Sequence, residues 1–239
     1  MKEFKKNIPP EFNPNITDPF YLSRIELLRG IKAHTLKFSG KLLDFGCGKK
    51  PYEILFQNVS EYTGIDFDGE GHSHANEMID VIYDGKSIPF SDNSFDGVLS
   101  TEVFEHVFNP DEILREIKRV LKNQGIILIT CPFAICEHEI PNDFARYSSF
   151  AVKYMLEKEG FEIIEFAKTG DAVTTIWQLR ITYWQNSILI HFKNIPILRT
   201  ILKKLIYTTF NLAALLFSSI LPKSKELYLN NIVLARLNK

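Results

Sequence analysis

The feature that most restricts how this chain can fold is the alternation of short apolar runs with helical stretches. Runs near Lys41–Phe45, Tyr62–Asp66, Asp80–Tyr83, Phe95–Ser100 and Ile126–Cys131 read as strands. Apolar residues at helical spacing stand between or beside several of them. Such alternation implies parallel strands in one sheet, with helices covering both faces. The clearest helix is Pro110–Lys122, where Ile113, Leu114, Ile117, Val120 and Leu121 make one face. Asn109 is placed to cap it and Pro110 suits its first turn. Asp111 and Glu112 stand at its positive end, and Lys118, Arg119 and Lys122 at its negative end.

A helix over Asp18–Phe38, behind an Asp18 cap, is expected before the first strand. Another follows Ser148 or Ser149 and stops at Gly160, before a strand at Phe161–Phe166. A last strand is expected at Tyr228–Leu237. About fifty mostly apolar, helical residues precede it, too many for a simple loop. The chain therefore divides into an N-terminal helical extension (1–40), a core (41–170), an apolar basic insert (171–226) and a final core strand (227–239).

Composition fits this reading. A chain of 239 residues that is 45% hydrophobic buries roughly 70% of its unfolded surface without a disulfide or metal staple. Cys47, Cys131 and Cys136 form no C-x-x-C pair, which excludes a disulfide framework or cysteine zinc site and fits a reducing compartment. Met1–Phe20 lacks the apolar core of a secretory signal, so a cytoplasmic location is expected. The net charge of −1 conceals an asymmetry. From Arg180 onward nine basic residues face the single acid Glu226, a net of +8, which leaves −9 on the rest. Two surfaces with different partners are expected.

The chemistry concentrates after the first strand, in Asp44-Phe45-Gly46-Cys47-Gly48-Lys49-Lys50-Pro51-Tyr52. Two glycines let backbone amides approach a ligand, and a helix starting at Pro51 would present free N–H groups. A dinucleotide fingerprint would place a third glycine at position 51. Pro51 stands there instead and disfavours a nicotinamide oxidoreductase. Asp66, ending the second strand, is placed to accept hydrogen bonds from ribose hydroxyls. Asp84-Gly85 supplies a further acid at a strand end, and Phe95-Asp96 leads to Ser100-Thr101-Glu102-Val103-Phe104-Glu105-His106.

With Asp44-Phe45-Gly46-Cys47-Gly48, Phe95-Asp96, Glu105-His106 and Arg119-Val120-Leu121-Lys122 in this order, the sequence resembles the class I S-adenosylmethionine-dependent methyltransferases, in their small single-domain, type 11-like branch. The resemblance covers Leu42–Phe166 and implies a Rossmann-like, doubly wound, seven-stranded α/β sheet, mostly parallel with an antiparallel last strand. It implies S-adenosyl-L-methionine as cofactor, with its methionine part along Asp44, Gly46, Cys47 and Gly48 and its ribose on Asp66. It puts the adenine between Phe67 and the Asp84-Gly85 turn, and the sulfonium near Ser100 and Thr101. Asn123-Gln124-Gly125 departs from the family's Pro-Gly-Gly, at a turn. Asp18-Pro19-Phe20-Tyr21-Leu22, Lys50-Pro51-Tyr52 and Pro141–Tyr147 resemble a bacterial branch that accompanies surface-polysaccharide and glycolipid enzymes. The acceptor expected from this is a hydroxyl or amine of a small molecule, sugar or lipid-linked glycan.

An oxygen acceptor calls for a base. His138, with Asp143, Arg146 and Tyr147 orienting the acceptor, is the candidate set, because ligands bind where the carboxyl ends of the strands open. Plainer readings stand beside these. Cys47 reads as a small residue packed beneath the ligand, and Arg146 as a salt-bridge partner of Asp143. Glu105-His106 reads as acid and base or as a brace on the helix after the fourth strand. Lys49 and Lys50 read as a charged loop or as contacts to the cofactor carboxylate. His72-Ser73-His74 has the spacing of a metal pair without a third ligand. No metal is expected, and a non-catalytic module on the same fold stays open. The segment 196–225 places Ile197, Leu198, Ile201, Leu202, Leu205 and Ile206 on one helical face. The uncharged run Leu205–Leu221 follows, bracketed by Lys203, Lys204, Lys223 and Lys225. It suits an anionic membrane surface on the cytoplasmic side, a pocket lid or a homodimer contact. Nucleic acid is not expected as a partner.

Overall fold

The computed structural model describes residues 7–67 and 78–239; His72, Ser73 and His74 lie outside the described residues. The strands are β1 (Gly40–Phe45), β2 (Val59–Phe67), β3 (Val81–Tyr83), β4 (Phe95–Thr101), β5 (Leu121–Pro132), β6 (Phe161–Lys168) and β7 (Asn230–Leu237). The helices are α1 (Tyr21–His34), α2 (Pro110–Val120), α3 (Ser149–Lys158), α4 (Ala172–Tyr183) and α5 (Pro196–Ile220). All seven strands form one sheet in the order β3-β2-β1-β4-β5-β7-β6. The first five are parallel, and β7 runs antiparallel between β5 and β6. This is the expected α/β architecture.

Strand alternation sorts the core into two faces. Leu42 points to one side, where Leu99, Leu128 and Leu234 meet Leu27, Leu28 and Ile31 of α1. Leu43 and Phe45 point to the other, against Ile113, Leu114 and Ile117 of α2 and Val152 and Leu156 of α3. Each such side chain, fully withdrawn from water, stabilises the fold by about 1.5 to 3 kcal/mol. A third cluster, Leu22, Ile181, Leu189, Tyr207, Ala214 and Leu229, fastens the insert to the start of α1.

Local departures from the sequence reading have physical causes. The first helix starts at Tyr21 rather than Asp18, because the Asp18 carboxylate accepts the Phe20 N–H at 2.8 Å and closes a turn first. Asn109 makes no side-chain cap on α2; its amide donates to Glu112 at 3.3 Å instead. That helix ends at Val120, where β5 begins. No helix starts at Pro51. A single 3-10 turn, Glu53–Leu55, leads toward β2, and Tyr52 and Phe56 are buried with the α1 side chains. Helix α1 already covers the face a crossover helix would take.

Candidate active site

The β1–β2 end of the sheet builds a close-fitting loop. Gly46 has φ 72°, and a Cβ there would lie 2.4 Å from Val103 Cγ2, so only glycine fits. Cys47 is buried, with its sulfur over Gly64, and burial pushes its thiol pKa up. That is the packing reading of this residue. Lys50 is also buried and pairs with Asp80, while Lys49 lies 3.8 Å from Glu11. Asp44 is buried, and loss of hydration raises its carboxyl pKa to about 7 although the Tyr62 hydroxyl donates to it at 2.6 Å.

Asp66 is fastened to this loop. Its Oδ2 accepts the Gly48 N–H and its Oδ1 the Phe67 N–H, each at 2.8 Å. The Phe67 ring rests directly on Gly85, where a Cβ would lie 2.7 Å from the ring. The two residues expected to flank the adenine therefore touch one another, with no slot between them. Asp84 closes its own turn, accepting the N–H groups of Lys86 and Ser87 at 2.9 and 3.0 Å, and these bonds lower its pKa. Ser100 is fully buried and its hydroxyl has no hydrogen-bond partner among the described residues. A positive-φ glycine cradle, a strand-end acid fastened to it and, among the described residues, an orphaned hydroxyl at the same strand ends fit a nucleoside-bearing ligand.

The acceptor side lies at the ends of β4 and β5. The Arg146 guanidinium holds Asp143 through two bonds of 2.6 Å and lowers the acid's pKa to about 2. It also reaches the Cys136 carbonyl at 3.0 Å. The His138 N–H donates to Asp143 Oδ2 at 2.9 Å, and its ring Nδ1 lies 3.5 Å from the same oxygen. His138, Asp143 and Arg146 thus come together. Tyr147 does not join them. Its ring packs on the main core, where burial raises its pKa to about 12, and its carbonyl accepts the Asn231 amide.

Three residues absent from the expected catalytic set complete this region. Glu102, with φ 55°, ties β4, β5 and β7 together by accepting the Thr130 hydroxyl at 2.9 Å and the Asn230 amide at 2.7 Å. Glu105 is fully buried, with neither carboxyl oxygen hydrogen-bonded; burial and the nearby Glu102 charge hold its pKa well above the usual range. His106 Nδ1 lies 2.6 Å from the Asn142 carbonyl, and the Glu105 carbonyl accepts the Phe144 N–H. The pair therefore braces the loop after β5, not the helix after β4. Contrary to the expectation that no ligand cluster forms, Glu105, His106 and His138 bring ligating atoms within 4.8 Å of one another. The Glu-x-x-Glu-His spacing after a strand was the available signal, but His138 joins only through the fold.

Comparisons with known proteins agree with this geometry. Residues 43–129 match a methyltransferase-domain family. The chain is 30% identical over 174 residues to an uncharacterized protein of Methanocaldococcus jannaschii, covering 69% of this chain and 76% of that one. It is 24% identical over 157 residues to the phosphatidylethanolamine N-methyltransferase of Cereibacter sphaeroides, covering 57% and 77%. The solved structure of the cyclase SpnF shares the fold, with a TM-score of 0.56, 20% identity and coverage of 91% of this chain and 83% of that one. Glycine loop, strand-end acid, sheet order and family match converge: the chain belongs to the class I S-adenosylmethionine-dependent methyltransferases.

Proposed function

We propose that the chain methylates a hydroxyl or amine of a small molecule, sugar or lipid-linked glycan, with lipid-linked acceptors favoured and presented at the cytoplasmic face of a membrane. S-Adenosylmethionine, when bound, supplies a methyl group on a sulfonium, ready for in-line displacement. Asp44, Gly46, Cys47 and Gly48 hold its methionine part, Asp66 its ribose, Phe67 with Asp84 and Gly85 its adenine, and Ser100 with Thr101 the reacting end. Alignment in a water-poor pocket supplies most of the rate, since charge is lost along the path. His138 stands to take the proton of a hydroxyl acceptor, with Asp143 and Arg146 fixing its loop.

The observation that carries the lipid-linked acceptor is the position of the insert. Helix α4 shares a cleft with the acceptor loop, lined by Phe20, Pro132, Ile135, Gln178, Thr182 and Asn230. Just beyond it, the Asn186 amide lies 4.0 Å from Cys136 Sγ. Helix α5, packed on α4, turns a long apolar stripe outward. The named activity of the Cereibacter sphaeroides relative, on a phospholipid amine, supports an acceptor of this class. The test supplies methyl-labelled S-adenosylmethionine and the purified protein to separate aqueous and lipid fractions of a cell extract. Label in the lipid fraction is expected. Label confined to the aqueous fraction overturns the lipid assignment, and cofactor binding without transfer to either fraction favours a non-catalytic module.

A further inference from the structure

We propose that Glu105, His106 and His138 form a binding site for one divalent transition-metal ion, whose open positions receive the oxygen or nitrogen of the methyl acceptor. The second half rests on the methyl-transfer reading; the ion site itself does not.

The Glu105 carboxyl is fully buried, and neither oxygen has a hydrogen-bond partner among the described residues. A buried carboxylate is costly unless a cation or a set of donors meets it. His106 Nε2 lies 3.7 Å from Glu105 Oε1 and 3.7 Å from Glu139 Oε2. His106 Nδ1 lies 2.6 Å from the Asn142 carbonyl oxygen. A carbonyl only accepts, so Nδ1 carries a proton and Nε2 is the ring atom turned toward Glu105 and Glu139. The His138 ring stands edge-on to His106 with centroids 4.8 Å apart and brings a second imidazole to the same place. Ligating atoms of Glu105, His106 and His138 all lie within 4.8 Å of one another, a cluster that one ion can gather.

The surroundings match what a metal site needs. Each imidazole has its Nδ1 against a backbone carbonyl, Asn142 for His106 and Cys136 for His138 at 3.2 Å, the outer contact that orients ligating histidines. Phe144 and Ala145 N–H groups both donate to the Glu105 carbonyl, so the two ligand-bearing loops are bound together. Two imidazoles and one carboxylate suit zinc, iron(II) or cobalt(II) and leave positions open. With an ion bound, His138 would ligate rather than act as base, and an acceptor hydroxyl at an open position, acidified by the ion, would give its proton to solvent.

The experiment uses the full chain, freed of metal by a chelator and dialysed, and titrated with cobalt(II) under visible absorption and with zinc(II) in a calorimeter. One ion per chain is expected. Affinity should fall about tenfold or more in Glu105→Gln and in His138→Asn, the latter altering a partly exposed side chain. Circular dichroism confirms that each variant is folded. No stoichiometric uptake by the wild type, or equal uptake by both folded variants, overturns the proposal. Titrating the same metal-free protein with S-adenosylmethionine tests the methyl-transfer reading separately, so the two can fail independently.

Discussion

The backbone N–H of Gly48 donates to Oδ2 of Asp66 at 2.8 Å, which joins the loop after β1 to the end of β2. One side chain thus shapes the glycine loop and stands where the proposed function puts the ribose. Asp66→Ala is expected to weaken both S-adenosylmethionine and S-adenosylhomocysteine by about 1.5 to 3 kcal/mol in calorimetry. Asp66→Asn keeps an acceptor for Gly48 and should lose less. Unchanged affinity in the alanine variant would remove Asp66 from the site.

Asp44 makes stability depend on pH. Its folded pKa is about 7 against 3.8 for the ordinary carboxyl, because burial penalises the charged form. A raised folded pKa means that the native state holds a proton the unfolded chain has released. The resulting stability is fully present below about pH 4 and is lost as pH rises through 7, by about 4 kcal/mol across the window. Asp44→Asn removes this component. Urea midpoints measured from pH 4 to 8 should fall less steeply for the variant than for the wild type, and parallel curves would contradict the assignment.

The Arg119-Val120-Leu121-Lys122 and Phe95-Asp96 motifs, read in the sequence only as signs of a family, act here as fasteners. Arg119 donates to the carbonyls of Ile88 and Phe90, each at 2.7 Å, and to Glu116 and Asp92. Lys122 meets Asp96 at 2.7 Å, and Asp96 accepts the Lys41 N–H at 2.8 Å. Arg119→Ala should therefore lower unfolding stability by about 1.5 to 3 kcal/mol and leave cofactor affinity unchanged. Loss of cofactor binding by a folded variant would show that the motif does more than hold the loop before β4.

What was legible in the sequence follows from range. Leu42 and Leu43, Ile113 and Ile117, and Gly46 and Gly48 encode strand faces, a helix face and a tight loop within a few residues, and periodicity and glycine spacing expose them. The missing helix after Pro51 was not legible, because α1, from thirty residues upstream, occupies that face. The Glu105, His106 and His138 cluster was hidden for a similar reason. His138 stands on the loop after another strand and meets the others only when β4 and β5 lie side by side. Tyr147, adjacent in sequence to Arg146, turns to the core instead, a choice that spacing does not reveal.

Helix α5 sets the last prediction. Its inward side is tied along its length: the Asn211 amide donates to the carbonyls of Ile16 and Asp18, and the Ser218 hydroxyl to Asp171 at 2.6 Å. The helix is long and apolar enough to cross a membrane, but these ties and the return of β7 to the sheet hold it along the body. The expected single apolar face divides. Leu202 and Ile206 pack inward, whereas Ile197, Ile201, Leu205, Leu212, Leu216 and Ile220 stand 54–77% exposed in one stripe. Arg199, Lys203 and Lys204 stand in the first half of the helix and Lys223 follows its end, but Lys225 is bound to the Lys168 carbonyl at 2.9 Å and contributes less than expected. An apolar stripe accompanied by basic residues suits the headgroup layer of an anionic bilayer, where each nearby cation contributes about 1 kcal/mol. The protein should sediment with anionic vesicles at low salt, bind them less at high salt as screening shortens, and ignore neutral ones. Leu205→Glu with Leu212→Glu should abolish binding without unfolding the chain, since both side chains face water. If neither vesicle type binds and sedimentation shows a dimer that the same pair of substitutions dissociates, the stripe is a subunit contact. A monomer that binds no vesicles leaves α5 as a cover over the acceptor cleft.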